Sequence, residues 1–338
     1  MRKEAKEAKV VPIRGSSLAH RDRRRVEALE STLRDAASGD PSRREGVLVA
    51  LARLLEEGLL RVRWEDVARA LRTLYFSWHS EEVDDFGFDR RFTETLRPFV
   101  EFLYAVWWRV ETAGLEHVPG EGPALIVANH SGVLPWDGLM INVAIRHEHE
   151  ARRECRMLAL DMFALLPFLA PLLTRTGAVR ASPENGERLL RRGELVGVFP
   201  EGVKGVGKRF RDRYKLARFG RGGFVRLALR TGAPIVPCAV VGAEEIHPMI
   251  GSANWLGRPL GLPYLPITPT FPALGPLGVV PLPTKWTIDF ADPLETEGYG
   301  PESGDDPILV NRLAEQVRGT IQRIIDGRLA RRRSVWFG

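Results

Sequence analysis

The sequence predicts an α/β protein: a central, mostly parallel sheet flanked by helices, with an N-terminal helical region and a C-terminal amphipathic helix. Three observations carry this. Short apolar runs bounded by turn residues recur at 123–128, 156–160, 195–199, 234–241 and 285–290, as buried strands do. Segments at 138–146, 183–192 and 222–231 read as helices and fall between successive runs. Strands alternating with helices describe a layered sheet whose strands are largely buried.

The 338 residues suffice for one large α/β domain with additions. Residues 1–45 form a basic arm, broken at Gly15-Ser16-Ser17 and at 37–40, and are expected to be poorly ordered apart from a short helix at 23–36. Residues 46–112 are expected to be helical. Leu48, Leu51, Leu54 and Leu55 share a face, and Trp64, Val67, Leu71 and Leu74 continue the spacing after a break. Residues 80–89 are acidic and loop-like. A helix over 92–110 carries Phe99, Phe102, Leu103, Val106 and Trp107 on one side, a face suited equally to the core or to a membrane.

From residue 113 to about 300 the strand and helix runs alternate. Gly193 and Gly232 stand where helices should stop. Residues 256–283 are rich in Pro, Gly, Leu and Ile and read as a long structureless stretch, either packed on the core or touching an acyl chain or lipid. Residues 301–338 hold an amphipathic helix at 307–330 and a basic tail. Its apolar stripe is Ile308, Val310, Leu313, Val317, Ile321, Ile324 and Leu329.

The formal charge is +6 and the isoelectric point about 9.6, with the basic excess strongest at the two ends. Such a chain attracts nucleic acid, anionic lipid or an anionic substrate. It carries no nucleic-acid recognition motif, so nucleic acid is not expected as a partner. The tail 328–333 beside Trp336 and Phe337 would suit an anionic bilayer, or else packs on the domain. The N-terminus is charged and shows no signal peptide. The most apolar run, 157–173, holds Asp161, Pro167 and Pro171 and is shorter than the roughly 20 residues a spanning helix needs. It reads as buried or interfacial. Cys155 and Cys238 lack metal-site or disulfide spacing, and no metal is expected.

The chemistry concentrates after two strands. Asn129-His130-Ser131 follows the run 123–128, and Asp137 follows at or near the start of the next helix. Histidine takes a proton near neutral pH, and a carboxylate fixes its tautomer and steadies its cationic form. No Gly-x-Ser-x-Gly elbow accompanies the pair, so the nucleophile would be a hydroxyl of the substrate. Phe199-Pro200-Glu201-Gly202 ends the run 195–199, where α/β loops carry function. Lys204, Lys208, Arg209, Arg211 and Arg213 follow, interleaved with glycine, and suit phosphate or a cofactor arm. The run 234–241 ends in an acidic turn, Gly242-Ala243-Glu244-Glu245.

In this order the segments resemble the glycerolipid acyltransferase superfamily, which includes the 1-acylglycerol-3-phosphate acyltransferases. The resemblance covers about 114–294. Asn129, His130 and Asp137 match the Asn-His…Asp block, Gly177-Ala178-Val179-Arg180 the second block, Phe199 to Gly202 the third, and Ile235-Val236-Pro237 the fourth. It implies an acyltransferase domain over 113–300, with His130 and Asp137 catalytic. Asn129, Arg180, Phe199, Pro200, Glu201, Gly202, Lys204 and Lys208 would bind substrate. The acyl donor would be acyl-CoA or acyl carrier protein, a co-substrate and not a cofactor. The partners would be membrane lipids, and the site of action the cytoplasmic side of a membrane, peripheral or monotopic. Three departures bear on the substrate. The His130–Asp137 spacing is two residues longer than the family's, Val203 replaces a hydroxyl residue, and Arg180 comes early in its strand. The acceptor is then a lysophosphatidate-like lipid or a neutral glyceride. The alternative is a lipid-binding protein of the same fold without turnover.

Overall fold

Five of the seven strands in the main sheet run parallel, and the three at its centre are buried along their whole length. The computed structural model describes residues 83–131, 134–159, 169–202, 205, 207–253, 265–275, 278 and 280–338. The chain divides into two units, Met1–Leu71 and Arg72–Gly338, and every described residue belongs to the second. The expected arm 1–45, the helical spacing at 48–74 and most of the apolar run 157–173 lie outside the described residues.

The N-terminal helix α1 (Arg90–Phe102) is capped by Asp89, whose carboxylate accepts the Phe92 N–H. It passes into a π-helical turn, Leu103–Trp107, closed by Trp108 N–H on Leu103 O at 2.8 Å. The uniform helix expected to 110 therefore ends earlier. The wider turn sends the Trp107 and Trp108 indole N–H groups to Pro281 O and Leu282 O. The remaining elements are β1 (Glu111–Ala113), β2 (Ala124–Ala128), α2 (Trp136–Glu148), β3 (Cys155–Ala159), α3 (Leu169–Arg175), β4 (Val179–Arg180), α4 (Pro183–Arg191) and β5 (Leu195–Val198). After them come α5 (Gly223–Thr231), β6 (Ile235–Val241), β7 (Gly251–Ala253), β8 (Leu265–Ile267), β9 (Thr287–Phe290) and α6 (Pro307–Arg331).

The sheet order is β1-β9-β6-β2-β5-β3-β4, with β6 and β9 antiparallel. Residues alternate between two cores. Leu125, Val127, Val196 and Val198 face α4, α5 and α6, whereas Ala124, Ile126, Ala128 and Leu195 face α1, the π turn and α2. Pro237 lies inside β6 and offers no N–H to the ladder. β9 ends at Phe290, but the chain stays on β6: the Ala291 N–H donates to Pro237 O at 2.9 Å, and Ile235 and Leu294 exchange hydrogen bonds. Free Cys155 and Cys238 are buried on their strands.

One expectation is corrected and one open choice is narrowed. The stretch 256–283 is not structureless throughout, since Leu265–Ile267 pairs with Gly251–Ala253 as a small antiparallel ribbon. Of the two readings open for the basic tail, packing on the domain describes Arg328 and Arg332. Arg328 grips both oxygens of Asp289, and Arg332 meets Glu245 Oε2 at 2.6 Å. The helix α6 packs through Val310, Leu313, Val317 and Ile321 as its spacing predicts, together with Ala314 and Ile325, while Ile308 stays exposed. Among the described residues no helix is long and apolar enough to cross a membrane.

Candidate active site

Asn129 fixes the exit from β2. Its amide accepts the Val240 N–H at 2.7 Å and donates to Val240 O at 2.9 Å, which extends the β2–β6 ladder by one side chain. It is fully buried and faces the sheet. His130 then emerges in a fixed direction. Its ring stacks on Phe199 with centroids 4.4 Å apart and planes 22° apart.

The His130 Nδ1 lies 2.7 Å from Asp137 Oδ2, with both side chains buried. Holding Nδ1 as the donor leaves Nε2 as the basic nitrogen. Asp137 reaches the ring because α2 starts two residues before the expected 138. Pro135 precedes its first turn, and the tight turn Trp136 N–H to Leu134 O brings the chain round. The carboxylate is satisfied on all sides. Oδ2 also accepts the Ser131 N–H at 2.9 Å and the Ser131 hydroxyl at 3.3 Å, and Oδ1 accepts the Gly138 N–H at 2.8 Å. The helix N-terminus adds favourable potential. The two additional residues in this segment therefore leave the His–Asp contact intact.

Glu201 is a strut. Its Oε1 accepts the His130 backbone N–H at 3.2 Å, and its Oε2 accepts the Ala217 N–H at 2.8 Å. Lys208 Nζ stands 3.3 Å from Glu201 Oε2 and 2.9 Å from Glu244 Oε1. Burial pushes the Glu244 carboxyl up to about 7, against the pull of Lys208. Next to it Glu245 meets Arg213 and Arg332. The Tyr214 hydroxyl, its phenol pKa raised by burial, accepts the Gly242 N–H. The backbone of residue 205 passes so close that a Cβ would lie 2.8 Å from Glu201 Cβ and 3.0 Å from His130 Cβ, so glycine is required there.

The structure thus gathers His130, Asp137, Phe199 and Glu201 in one place, with Asn129 behind them. Pro200 is half-buried between Phe199 and Glu201, and Gly202 closes the turn through its N–H to Phe199 O. Arg180 is elsewhere. It ends β4, three strand spacings from β2, which is roughly 14 Å. Lys204 lies outside the described residues. Sequence reasoning missed Ser131 and Glu244. The usable signal for Glu244 was an acidic turn after a buried strand, together with a basic loop earlier in the chain. A cleft of about 610 Å³ between α6 and the chain after β9, lined by Asp289, Arg323 and Arg328, contains none of these residues. Among the described residues no group of His, Cys, Asp or Glu could hold a metal ion.

A family model described as Acyltransferase matches residues 109–241, the stretch that holds both His130 and Glu201. The uncharacterized protein Rv0502 of Mycobacterium tuberculosis is 52% identical over 257 residues, which is 76% of this chain and 72% of that protein. The human DGAT1/2-independent enzyme synthesizing storage lipids is 28% identical over 225 residues, 66% of this chain and 62% of that enzyme. Human 1-acyl-sn-glycerol-3-phosphate acyltransferase alpha is 30% identical over 153 residues, 44% of this chain and 50% of that enzyme. The chain belongs to the acyltransferase family of enzymes, and residues 109–241 are its family domain.

Proposed function

We propose that this enzyme moves a fatty acyl group from a thioester, acyl-CoA or acyl carrier protein, to a hydroxyl of a glycerolipid at a membrane surface. The observation that carries the reading is the buried contact of 2.7 Å between His130 Nδ1 and Asp137 Oδ2. His130 Nε2 removes the proton of the acceptor hydroxyl as its oxygen attacks the thioester carbonyl. Asp137 stays ionised and steadies the imidazolium that forms. The tetrahedral intermediate collapses, the C–S bond breaks, and the Nε2 proton passes to the departing thiolate. The products are an ester and a free thiol. The donor is consumed as co-substrate, and the scheme calls for no separate cofactor.

A neutral glyceride is the preferred acceptor over a lysophosphatidate. Lys208 is already shared by two buried carboxylates, so its charge is not available to a phosphate without breaking that contact. The human storage-lipid enzyme among the relatives agrees with this choice. We place the enzyme peripherally, on the cytoplasmic side of a membrane, where Trp336 and Val106 offer exposed apolar surface.

The test is to incubate the purified protein with labelled acyl-CoA or acyl carrier protein and either diacylglycerol or lysophosphatidate, and to identify products by mass. Triacylglycerol as the main product supports the neutral reading; phosphatidate as the main product overturns it. Lipid binding without transfer to either acceptor would instead favour a non-catalytic lipid-binding protein.

A further inference from the structure

We propose that Lys208 is a positioning residue, set by Glu244, that keeps Glu201 in place as the strut under His130. The idea rests on the reading of His130 as the base, and it takes Lys208 out of the set of substrate ligands.

The geometry is specific. Both oxygens of Glu201 face backbone donors, His130 N–H at 3.2 Å and Ala217 N–H at 2.8 Å. An ionised carboxylate, which only accepts, meets these two donors best. A carboxylate in a side chain with no exposed surface needs a cation nearby. Lys208 is that cation, and its side chain is only 10% exposed. Glu244 Oε1 fixes the ammonium from the other side at 2.9 Å.

The chain of contacts is continuous. The 3₁₀ turn after β6 holds Glu244, Glu244 holds Lys208, Lys208 holds Glu201, and Glu201 holds the main chain of His130. Ala217, the second residue bound by Glu201, belongs to a strap that α6 secures through Gln322. That side chain accepts the Leu216 N–H and donates to Tyr214 O. The charged and titratable groups facing Glu201 among the described residues are His130, Lys208 and Glu244. Those facing Glu244 are Lys208, Glu201 and, beside it, Tyr214. Glu245, with Arg213 and Arg332, forms the neighbouring cluster.

Removing the ammonium leaves two buried carboxylates facing each other. The pair must then share a proton, and Glu201 is drawn off one of its backbone donors. A substrate ligand would behave otherwise, because its loss weakens binding and leaves the turnover of bound substrate intact.

The experiment compares wild type, Lys208→Met, Lys208→Arg and the double variant Lys208→Met/Glu244→Gln, in the full chain. Proton–nitrogen NMR of the His130 backbone amide reports the strut directly, whatever the chemistry of the site. In Lys208→Met this amide is expected to titrate between pH 5 and 8. The titration should be suppressed in Lys208→Arg, which keeps the cation, and should move to lower pH in the double variant, which removes the second carboxylate but leaves Glu201 without a cation. Steady-state rates should show kcat reduced about tenfold or more in Lys208→Met, as misplacement of a base predicts. KM should stay within about twofold, with partial recovery in the double variant. An amide unaffected by Lys208→Met, or a raised KM with kcat unchanged, overturns the proposal. A His130→Ala variant that still transfers acyl groups would remove His130 as the base. The amide titration would still decide whether Lys208 holds the strut.

Discussion

At the scale of single residues, the site depends on saturation of one carboxylate. Asp137 accepts four hydrogen bonds, from His130, the Ser131 N–H, the Ser131 hydroxyl and the Gly138 N–H, so its orientation is determined before any substrate binds. Asp137→Asn would present an amide to Nδ1 and favour the wrong tautomer. We expect kcat to fall by roughly 10²- to 10⁴-fold with the thermal midpoint little changed. Ser131→Ala removes only the longest of the four contacts and should cost less than about tenfold, an outcome read in the same assay. Glu244 predicts a pH effect on stability. Its folded pKa of about 7 lies above the usual 4.5, so the native state holds a proton that the unfolded state releases. The stability it contributes is present below about pH 4.5 and is lost as pH rises through 7, on the order of 3 kcal/mol in total. Glu244→Gln should therefore gain thermal stability relative to wild type between pH 5 and 8. A midpoint difference that is flat over that range would contradict this. The proximity of His130, Asp137 and Glu201 was legible in the sequence because they stand on loops after apolar runs, in the order that the family resemblance requires. The role of Lys208 was not, because its partner Glu244 is 36 positions away and only the fold brings them together.

At the scale of elements, long segments were readable and short ones were not. The helix α6 was predicted within a residue at its end, since its apolar spacing persists over many turns and Asp306 caps it through the Ile308 and Leu309 N–H groups. Strands β1, β7 and β8 are three residues each, too short to display any period. The π turn after α1 leaves no signal in apolar spacing either. The early start of α2 mattered most, because it sets Asp137 in the first helical turn. The contact between α5 and α6 gives a prediction of its own. Gly222 has φ +73° and a Cβ there would lie 2.3 Å from Val310 Cγ1, so Gly222→Ala meets both backbone strain and a clash. We expect a loss of about 2 kcal/mol, measured by denaturant unfolding. Ile321→Ala, which empties a fully buried site on α6, should cost about 2–5 kcal/mol in the same experiment.

At the scale of the whole molecule, the sheet is a platform with its chemistry at one edge. The parallel strands β2, β5 and β6 all end there, and the residues that follow them are Asn129–His130, Phe199–Glu201 and the turn with Glu244. The helix α6 crosses the opposite core and secures the strap that meets Glu201, so the C-terminal segment supports the site from behind. Its arginines, open in the sequence between bilayer contact and packing on the domain, are in part internal fastenings: Arg328 on Asp289 and Arg332 on Glu245. The charge pattern showed that the tail was basic but not where its partners lay, because those partners are on other elements. The most direct measurement is the transfer of a labelled acyl group to diacylglycerol by wild type and by His130→Ala, side by side, with folding of both verified by circular dichroism. The account predicts labelled triacylglycerol from wild type and a loss of at least about 10²-fold in the variant. Equal transfer by the two folded proteins would contradict it.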